Sequence, residues 1–313
     1  MRAVRCKNGG VEVVELPAPR ADAGVRVRIR SAGICGSDLH LVQSGAALPH
    51  TLGHEMAGVA EGGRAVAIEP LLPCGACAAC RAGDYNLCER GPRNVIGVAH
   101  DGGMADEIVV PERCLVPLPA AVTPADACLV EPLAVAIHGL RRAGLRGDDR
   151  VAVVGGGTIG LCAVAALDAA GAEAALAARH DAQRAAGERL GAREISGHYD
   201  LVVDAAGTRA ALEQAVSLCR PGGTLVLLAS YWDNRIELPG FALCMKEIRV
   251  QPASMYAREG AARDVDVAAA ALAAKPDIAR AIITHRFPLD AAVEAFRTAA
   301  DRAAGAIKVV LEP

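Results

Sequence analysis

Four cysteines fall within fifteen residues in PCGACAACRAGDYNLC, spaced Cys74-x2-Cys77-x2-Cys80-x7-Cys88. Small residues and turn formers separate them, so four thiolates can close a tetrahedral shell around Zn²⁺ at about 2.3 Å per bond. Four protein ligands leave no open position, which makes such a metal structural. It would hold a lobe, residues 72–92, that has little hydrophobic core of its own. An iron–sulfur cluster is the competing occupant of a four-thiolate set. A second set is dispersed: Cys35 in AGICGSDLH, His54 and Glu55 in LGHEMAG, and Glu131 in LVEPLAV. One soft, one borderline and two hard ligands are the mixture a catalytic zinc uses when water or substrate shares its shell. Each alone is an ordinary structural residue, and only a fold can bring them together. The two sets together make two zinc ions per chain.

A third constellation is rich in glycine. In VAVVGGGTIG, Gly155, Gly157 and Gly160 fit G-x-G-x-x-G, with Thr158 and Ile159 opening the helix that follows. Such a turn lets the backbone approach a pyrophosphate at a helix N-terminus, and its place between a strand and a helix supports dinucleotide binding. About 20 residues further on, NAD-preferring proteins place Asp or Glu on the ribose 2′-hydroxyl. This chain has Arg179 and His180 there, with Arg184 one turn later. A guanidinium suits a 2′-phosphate, so the expectation is NADP(H) over NAD(H). Asp181 reads as the N-cap of the helix DAQRAAGERL rather than as a ribose ligand.

The elements that must position these residues are of two kinds. Up to residue 123 the chain shows short runs with period-two alternation, VEVVEL, VRVRIR, GRAVAIEP and EIVVP, broken by Gly and Pro. These predict a β-rich, partly barrel-like domain. At TPADACLVEPLAVAIHGLRRAGL the pattern turns helical, with Thr123 as expected cap and Pro124 at the first helical position. Strands and helices then alternate: RVAVVG, a helix from Thr158, AEAALAA, a helix from Asp181, DLVVDAAG, another helix, and GGTLVLLAS. That order predicts a doubly wound parallel sheet. The closing stretch from His285 supplies one helix and one strand that return to the first domain, making it discontinuous: 1–123 with 286–313, around a cofactor domain of 124–285.

Composition narrows the function classes. The 313 residues are 52% hydrophobic and 22% charged, with a formal net charge of −3, which suits a soluble globular chain long enough for two cores. A weakly negative balance argues against nucleic-acid binding, and no apolar run approaches the roughly 20 residues that span a bilayer. The first twenty residues lack the apolar region of a secretory signal, so a cytoplasmic location is expected. In the reducing cytosol a cysteine cluster more often holds metal than forms disulfides.

With these residues assembled, the chain resembles the zinc-containing medium-chain dehydrogenases, especially the polyol and threonine dehydrogenase branch. The resemblance runs in order through AGICGSDLH, GHE, the cysteine lobe, EPLAVAIH, GGGTIG, HRFPL and AGAIKVVLEP, and covers nearly the whole chain. It implies a GroES-like barrel domain, a Rossmann dinucleotide-binding domain, and an active site in the cleft between them. By position, Cys35, His54, Glu55 and Glu131 resemble the catalytic zinc ligands, the two glutamates exchanging with water or substrate. Ser37 and His40 match a relay that carries an alcohol proton to solvent. Asp38 resembles a group that braces a ligand or the relay, and His138, seven residues past Glu131, falls on the same helix face. The resemblance also implies hydride transfer to or from a small alcohol or carbonyl compound, and a homodimer or homotetramer joined through the edge of the cofactor-domain sheet. Rival readings on the same fold are a zinc-independent quinone or enoyl reductase and a non-catalytic zinc- and NADP-binding scaffold. The chain departs from the pattern in a shortened turn at Glu61 and Gly62. It also carries SYWDN at 230–234, whose Tyr231 and Trp232 are expected near the nicotinamide side, at a subunit contact or in a packing role.

Overall fold

A computed structural model describes residues 1–21, 24–45, 48–91, 94–232 and 235–313. Pro92, in the expected metal lobe, and Asp233 and Asn234 of the 230–234 segment lie outside the described residues. The chain forms two compact units, Met1–Glu131 with Ala257–Ala279 and Ile283–Pro313, and Pro132–Tyr256 with Arg280–Ile282.

In the first unit the strand Val25–Gly33 lies at the centre of a mixed sheet. Its alternation is read out directly: Val27 and Ile29 are buried while Arg28 and Arg30 face outward. It pairs antiparallel with Glu55–Ala60 on one edge and with Glu107–Val110 and Lys308–Glu312 on the other. Ile283–Pro288 then runs parallel to Lys308–Glu312. Val27, Ile29, Leu52, Met56, Ile68 and Leu311 form part of the core behind this sheet. Each such side chain contributes about 1.5–3 kcal/mol by leaving water. The register sets Gly33 opposite both Glu55 and Val310. That pairing brings the segment after Gly33, the start of Glu55–Ala60 and the strand Lys308–Glu312 to one place. The shortened turn closes tightly, with Gly63 N–H donating to the Ala60 carbonyl at 3.0 Å. Gly62 and Gly63 both take positive φ there, +83° and +86°, which glycine adopts without steric cost.

The second unit is a parallel sheet in the order Arg249–Pro252, Cys219–Leu227, Tyr199–Asp204, Val151–Val154, Ala174–Ala177. Fully apolar runs such as Val151–Val154 are buried along their whole length, as a strand covered on both faces requires. The connecting helices Thr158–Ala169, Asp181–Arg189 and Arg209–Leu218 follow the expected alternation. Thr208 caps the last of these by accepting from the Ala211 amide at 3.2 Å. Among the described residues no helix is long and apolar enough to cross a membrane.

Two expectations about helix starts need correction. The helix expected from Thr123 begins at Val130, after a 3-10 turn at Ala127–Leu129. Residues 124–126 are instead held to the first unit, where Ser31 Oγ donates to the Pro124 carbonyl at 2.6 Å and Arg286 donates to the Ala125 carbonyl at 2.9 Å. Residues 257–279 pack with the first unit. Arg263 bonds Glu69 at 3.0 Å, Glu69 accepts from the Tyr85 hydroxyl at 2.6 Å, and that hydroxyl lies 3.1 Å from the Ala257 carbonyl. Burial pushes the Glu69 carboxyl up, and these donors oppose the rise. A buried acid needs partners, and this segment provides them. Finally, His180 rather than Asp181 holds the N-cap position of its helix. Asp181 sits in the first turn, where its charge meets the positive end of the helix dipole.

Candidate metal centres and cofactor turn

Among the described residues, two groups of metal-ligating atoms converge, each with all its atoms within 4.8 Å of one another. The first is Cys74, Cys77, Cys80 and Cys88. Cys77 occupies the N-cap position of the short helix Ala78–Ala82, and Gly83 ends it in the left-handed region at φ +98°. The Cys74 and Cys80 sulfurs are 3.8 Å apart. A tetrahedron with bonds of about 2.3 Å has edges of about 3.8 Å, so the spacing fits one zinc. Backbone amides point at the sulfurs, Cys77 N–H to Cys74 at 3.3 Å and Cys74 N–H to Cys88 at 3.3 Å. Such donors hold the Cys74, Cys77 and Cys88 thiols below their ordinary value, towards the thiolate a metal requires. Burial instead pushes Cys80 up to about 12.

The second group is Cys35, His54 and Glu55. Cys35 sits at the N-cap of the helix Gly36–Gln43, just past the strand that ends at Gly33. Asp38, fully buried, accepts from the Cys35 amide at 2.9 Å and so fixes the turn that carries the thiol. Its other oxygen lies 3.7 Å from His54 Nδ1, too far for a hydrogen bond, and both atoms are buried without a hydrogen-bond partner. A carboxylate behind a histidine is the arrangement that orients a metal-bound imidazole. Burial alone would lower the His54 pKa, but Asp38, Cys35 and Glu131 raise it well above the ordinary value. The pocket therefore favours positive charge, as a divalent cation needs. Glu131 influences His54 in this way, although its carboxylate is not in the tight group with Cys35, His54 and Glu55.

Ser37 and His40 lie three residues apart on the helix Gly36–Gln43, and so near one face. Ser37 is half-buried and His40 exposed, which steps from the interior to water. His138 is buried in the helix Val130–Arg142, with Nδ1 3.4 Å from Arg141.

The structure adds a residue to which the motif reading assigned no role. Lys308 is fully buried and donates to Glu55 at 2.5 Å and to the Ile34 carbonyl at 2.9 Å. Burial would lower its pKa, but the Glu55 charge raises it above the ordinary lysine value. Gly33 makes the room, since a Cβ there would lie 2.2 Å from Glu55 Oε2. The available signal was one lysine inside the otherwise apolar run AIKVVL, a cation that must find a buried partner.

In the second unit the glycine turn fits a dinucleotide. Gly155 takes φ +113°, and a Cβ on Gly160 would lie 1.8 Å from the Gly155 carbonyl, so helix and turn pack without room for a side chain. A Cβ on Gly157 would meet nothing within 4 Å, leaving an open face beside the first-turn amides of Thr158 and Ile159. Arg179 lies two residues past the strand Ala174–Ala177 and is exposed. Arg184 donates to the Ala178 and Arg179 carbonyls at 3.0 Å each and pairs with Asp181, so it braces the turn that presents Arg179.

Residues 21–120 match the alcohol dehydrogenase GroES-like domain model, and residues 158–272 the zinc-binding dehydrogenase model. L-galactonate-5-dehydrogenase of Escherichia coli K12 is 30% identical, over 90% of this chain and 89% of its own length. A zinc-binding dehydrogenase structure from Sinorhizobium meliloti 1021, bound to NADP, superposes with a TM-score of 0.85 at 29% identity, covering 100% of this chain and 99% of that one. An Escherichia coli CFT073 alcohol dehydrogenase structure complexed with NADH gives 0.86 at 26% identity, with the same coverage. The chain is therefore a member of the zinc-containing medium-chain dehydrogenase/reductase family, in its polyol dehydrogenase branch.

Proposed function

We propose that this protein is a zinc-dependent oxidoreductase that transfers hydride reversibly between NADP(H) and a secondary alcohol, polyol or related hydroxy compound. The observation that carries this reading is the convergence of Cys35, His54 and Glu55, with Asp38 behind the histidine. When bound, zinc would supply Lewis acidity that lowers the pKa of a substrate hydroxyl, and the nicotinamide would supply the hydride acceptor. Cys35, His54 and Glu55 would hold that metal, with Glu131 as the exchanging carboxylate. Ser37 would accept the hydroxyl proton and pass it to His40, whose exposure lets it reach solvent. The turn Gly155–Gly160 would bind the pyrophosphate through the amides of Thr158 and Ile159. Arg179, His180 and the bracing Arg184 would form the 2′-phosphate side, which favours NADP(H). Cys74, Cys77, Cys80 and Cys88 would hold a second, structural zinc.

The test is an absorbance assay of nicotinamide reduction with NADP⁺ and NAD⁺ over secondary alcohols, polyols, cyclitols and hydroxy acids, with and without a zinc chelator. Chelator-sensitive turnover that is faster with NADP⁺ is expected. Turnover untouched by chelation would point to a zinc-independent reductase, and bound cofactor without any turnover to a scaffold.

The chain is also proposed to form a homodimer or homotetramer through the edge strand Arg249–Pro252 and the adjoining helix Gly240–Met245. Phe241 and Met245 there are 83% and 68% exposed. Light scattering that found only monomers would end this assignment.

A further inference from the structure

Asp204 ends the strand Tyr199–Asp204 and is fully buried, yet neither metal centre nor the glycine turn uses it. Its carboxylate accepts from the amides of Ala206 at 3.0 Å and Gly207 at 3.2 Å, and from the Tyr231 hydroxyl. Its carbonyl accepts from Leu228 and Ala229, each at 3.0 Å. One residue thus joins the turn 205–207 to the segment that leaves the neighbouring strand Cys219–Leu227. Burial pushes the Asp204 carboxyl up and these donors oppose the rise, so the bonds are what make its charge tolerable.

The turn it holds abuts the glycine motif. A Cβ on Gly155 would lie 2.9 Å from the Ala206 nitrogen, and one on Gly160 would lie 3.4 Å from the Ala205 Cβ. On the other side Gly207, at φ +68°, packs so that a Cβ would meet the Ala229 Cβ at 3.0 Å. Asp204 is in register with Val154, where the glycine turn begins. Those two strands flank the point at which the sheet's winding reverses, and ligands of such sheets lie in the crevice beyond the strand ends there.

We propose that the Tyr231–Asp204 hydrogen bond positions the 205–207 turn as one wall of the dinucleotide crevice, which makes Tyr231 a positioning residue for the cofactor. This rests on the dinucleotide reading above and deepens it. Tyr231 touches no reacting group in this role. It acts through Asp204, whose two amide bonds set where the turn stands relative to Gly155.

The test uses Tyr231→Phe, which removes only the hydroxyl. Trp232, the only tryptophan of the chain, is adjacent, so quenching of its emission by reduced nicotinamide cofactor reads binding directly. The dissociation constant should rise about tenfold, the effect of losing one hydrogen bond to a charged acceptor. Amide hydrogen exchange without cofactor should quicken at Ala206 and Gly207 and stay unchanged in Val151–Val154. An unchanged dissociation constant would overturn the proposal, and so would exchange that quickens across the whole parallel sheet, which means a general loss of packing. A wild-type protein that binds neither reduced dinucleotide would remove the cofactor reading and this one with it. Wild-type binding with an unaffected variant removes this one alone.

Discussion

Lys308 and Glu55 form a buried ion pair, with Nζ 2.5 Å from Oε2 and side chains 2% and 1% exposed. They meet because the strand Val25–Gly33 pairs with both of their strands, and Gly33 leaves space where a side chain would strike Glu55. The pair sets where Glu55 stands beside Cys35 and His54.

Removing one partner should cost more than removing both. In the protein stripped of metal, Lys308→Met leaves the buried Glu55 carboxylate without its cation and should destabilise the protein by about 3–5 kcal/mol in urea unfolding. Adding Glu55→Gln to that variant should recover more than half of the loss. A single variant as stable as wild type would show that the pair is not a stabilising contact.

The two metal groups should respond differently to mutation. Cys35→Ala should lose one zinc of two and all measurable activity while its melting temperature stays close to wild type. Cys80→Ala should also lose one zinc, but with lower stability or solubility, because a structural zinc contributes folding free energy directly. Metal analysis with thermal unfolding checks both. Two zincs and full activity in either variant would contradict the assignment of that site.

Arg179 faces solvent beside the cofactor turn, braced from below by Arg184. Arg179→Asp removes a cation suited to the 2′-phosphate and supplies a carboxylate suited to the ribose hydroxyls. The ratio of kcat/KM for NADP⁺ over NAD⁺ should fall by at least about tenfold, equivalent to about 1.4 kcal/mol. An unchanged ratio would take Arg179 out of cofactor selection.

Acid should weaken the β-rich unit partly through Asp106. Partial burial pushes its carboxyl up, but bonds from the Arg2 side chain and amide, at 2.7 Å and 2.6 Å, outweigh this and hold it below the ordinary value. The folded state therefore binds that proton less readily than the unfolded chain. The contribution is complete above the unfolded value of about 3.9 and is lost as pH falls through the lowered folded value. Asp106→Asn should be less stable than wild type at pH 7 and should lose less on going to pH 3. Equal losses in urea midpoint would rule out this pair as part of the acid response.

Much of the architecture was legible because it is local. The buried valine runs, the helical repeats between them and the glycine turn each draw their signal from neighbouring residues, and the structure has them where the pattern set them. The four lobe cysteines are equally local, since a run of fifteen residues can gather its own ligands. Helix starts were less legible. Thr123 and Asp181 look like caps in sequence, but contacts from Arg286 and Ser31 hold the first segment off the helix, and His180 takes the cap at the second.

Residue types and spacing by themselves determined the two fold classes, the four-cysteine lobe, the glycine turn between strand and helix and the candidate set around Cys35 and His54. Tertiary structure alone decided that Lys308 meets Glu55, 253 residues away in the chain, and that the ligand behind which Asp38 stands is His54. It also decided that 257–279 belongs with the first unit and that Tyr231 reaches Asp204. The physical reason is the same in each case. A buried charge must find a partner, and the chain does not disclose which distant strand or loop will bring it until the sheet register is set.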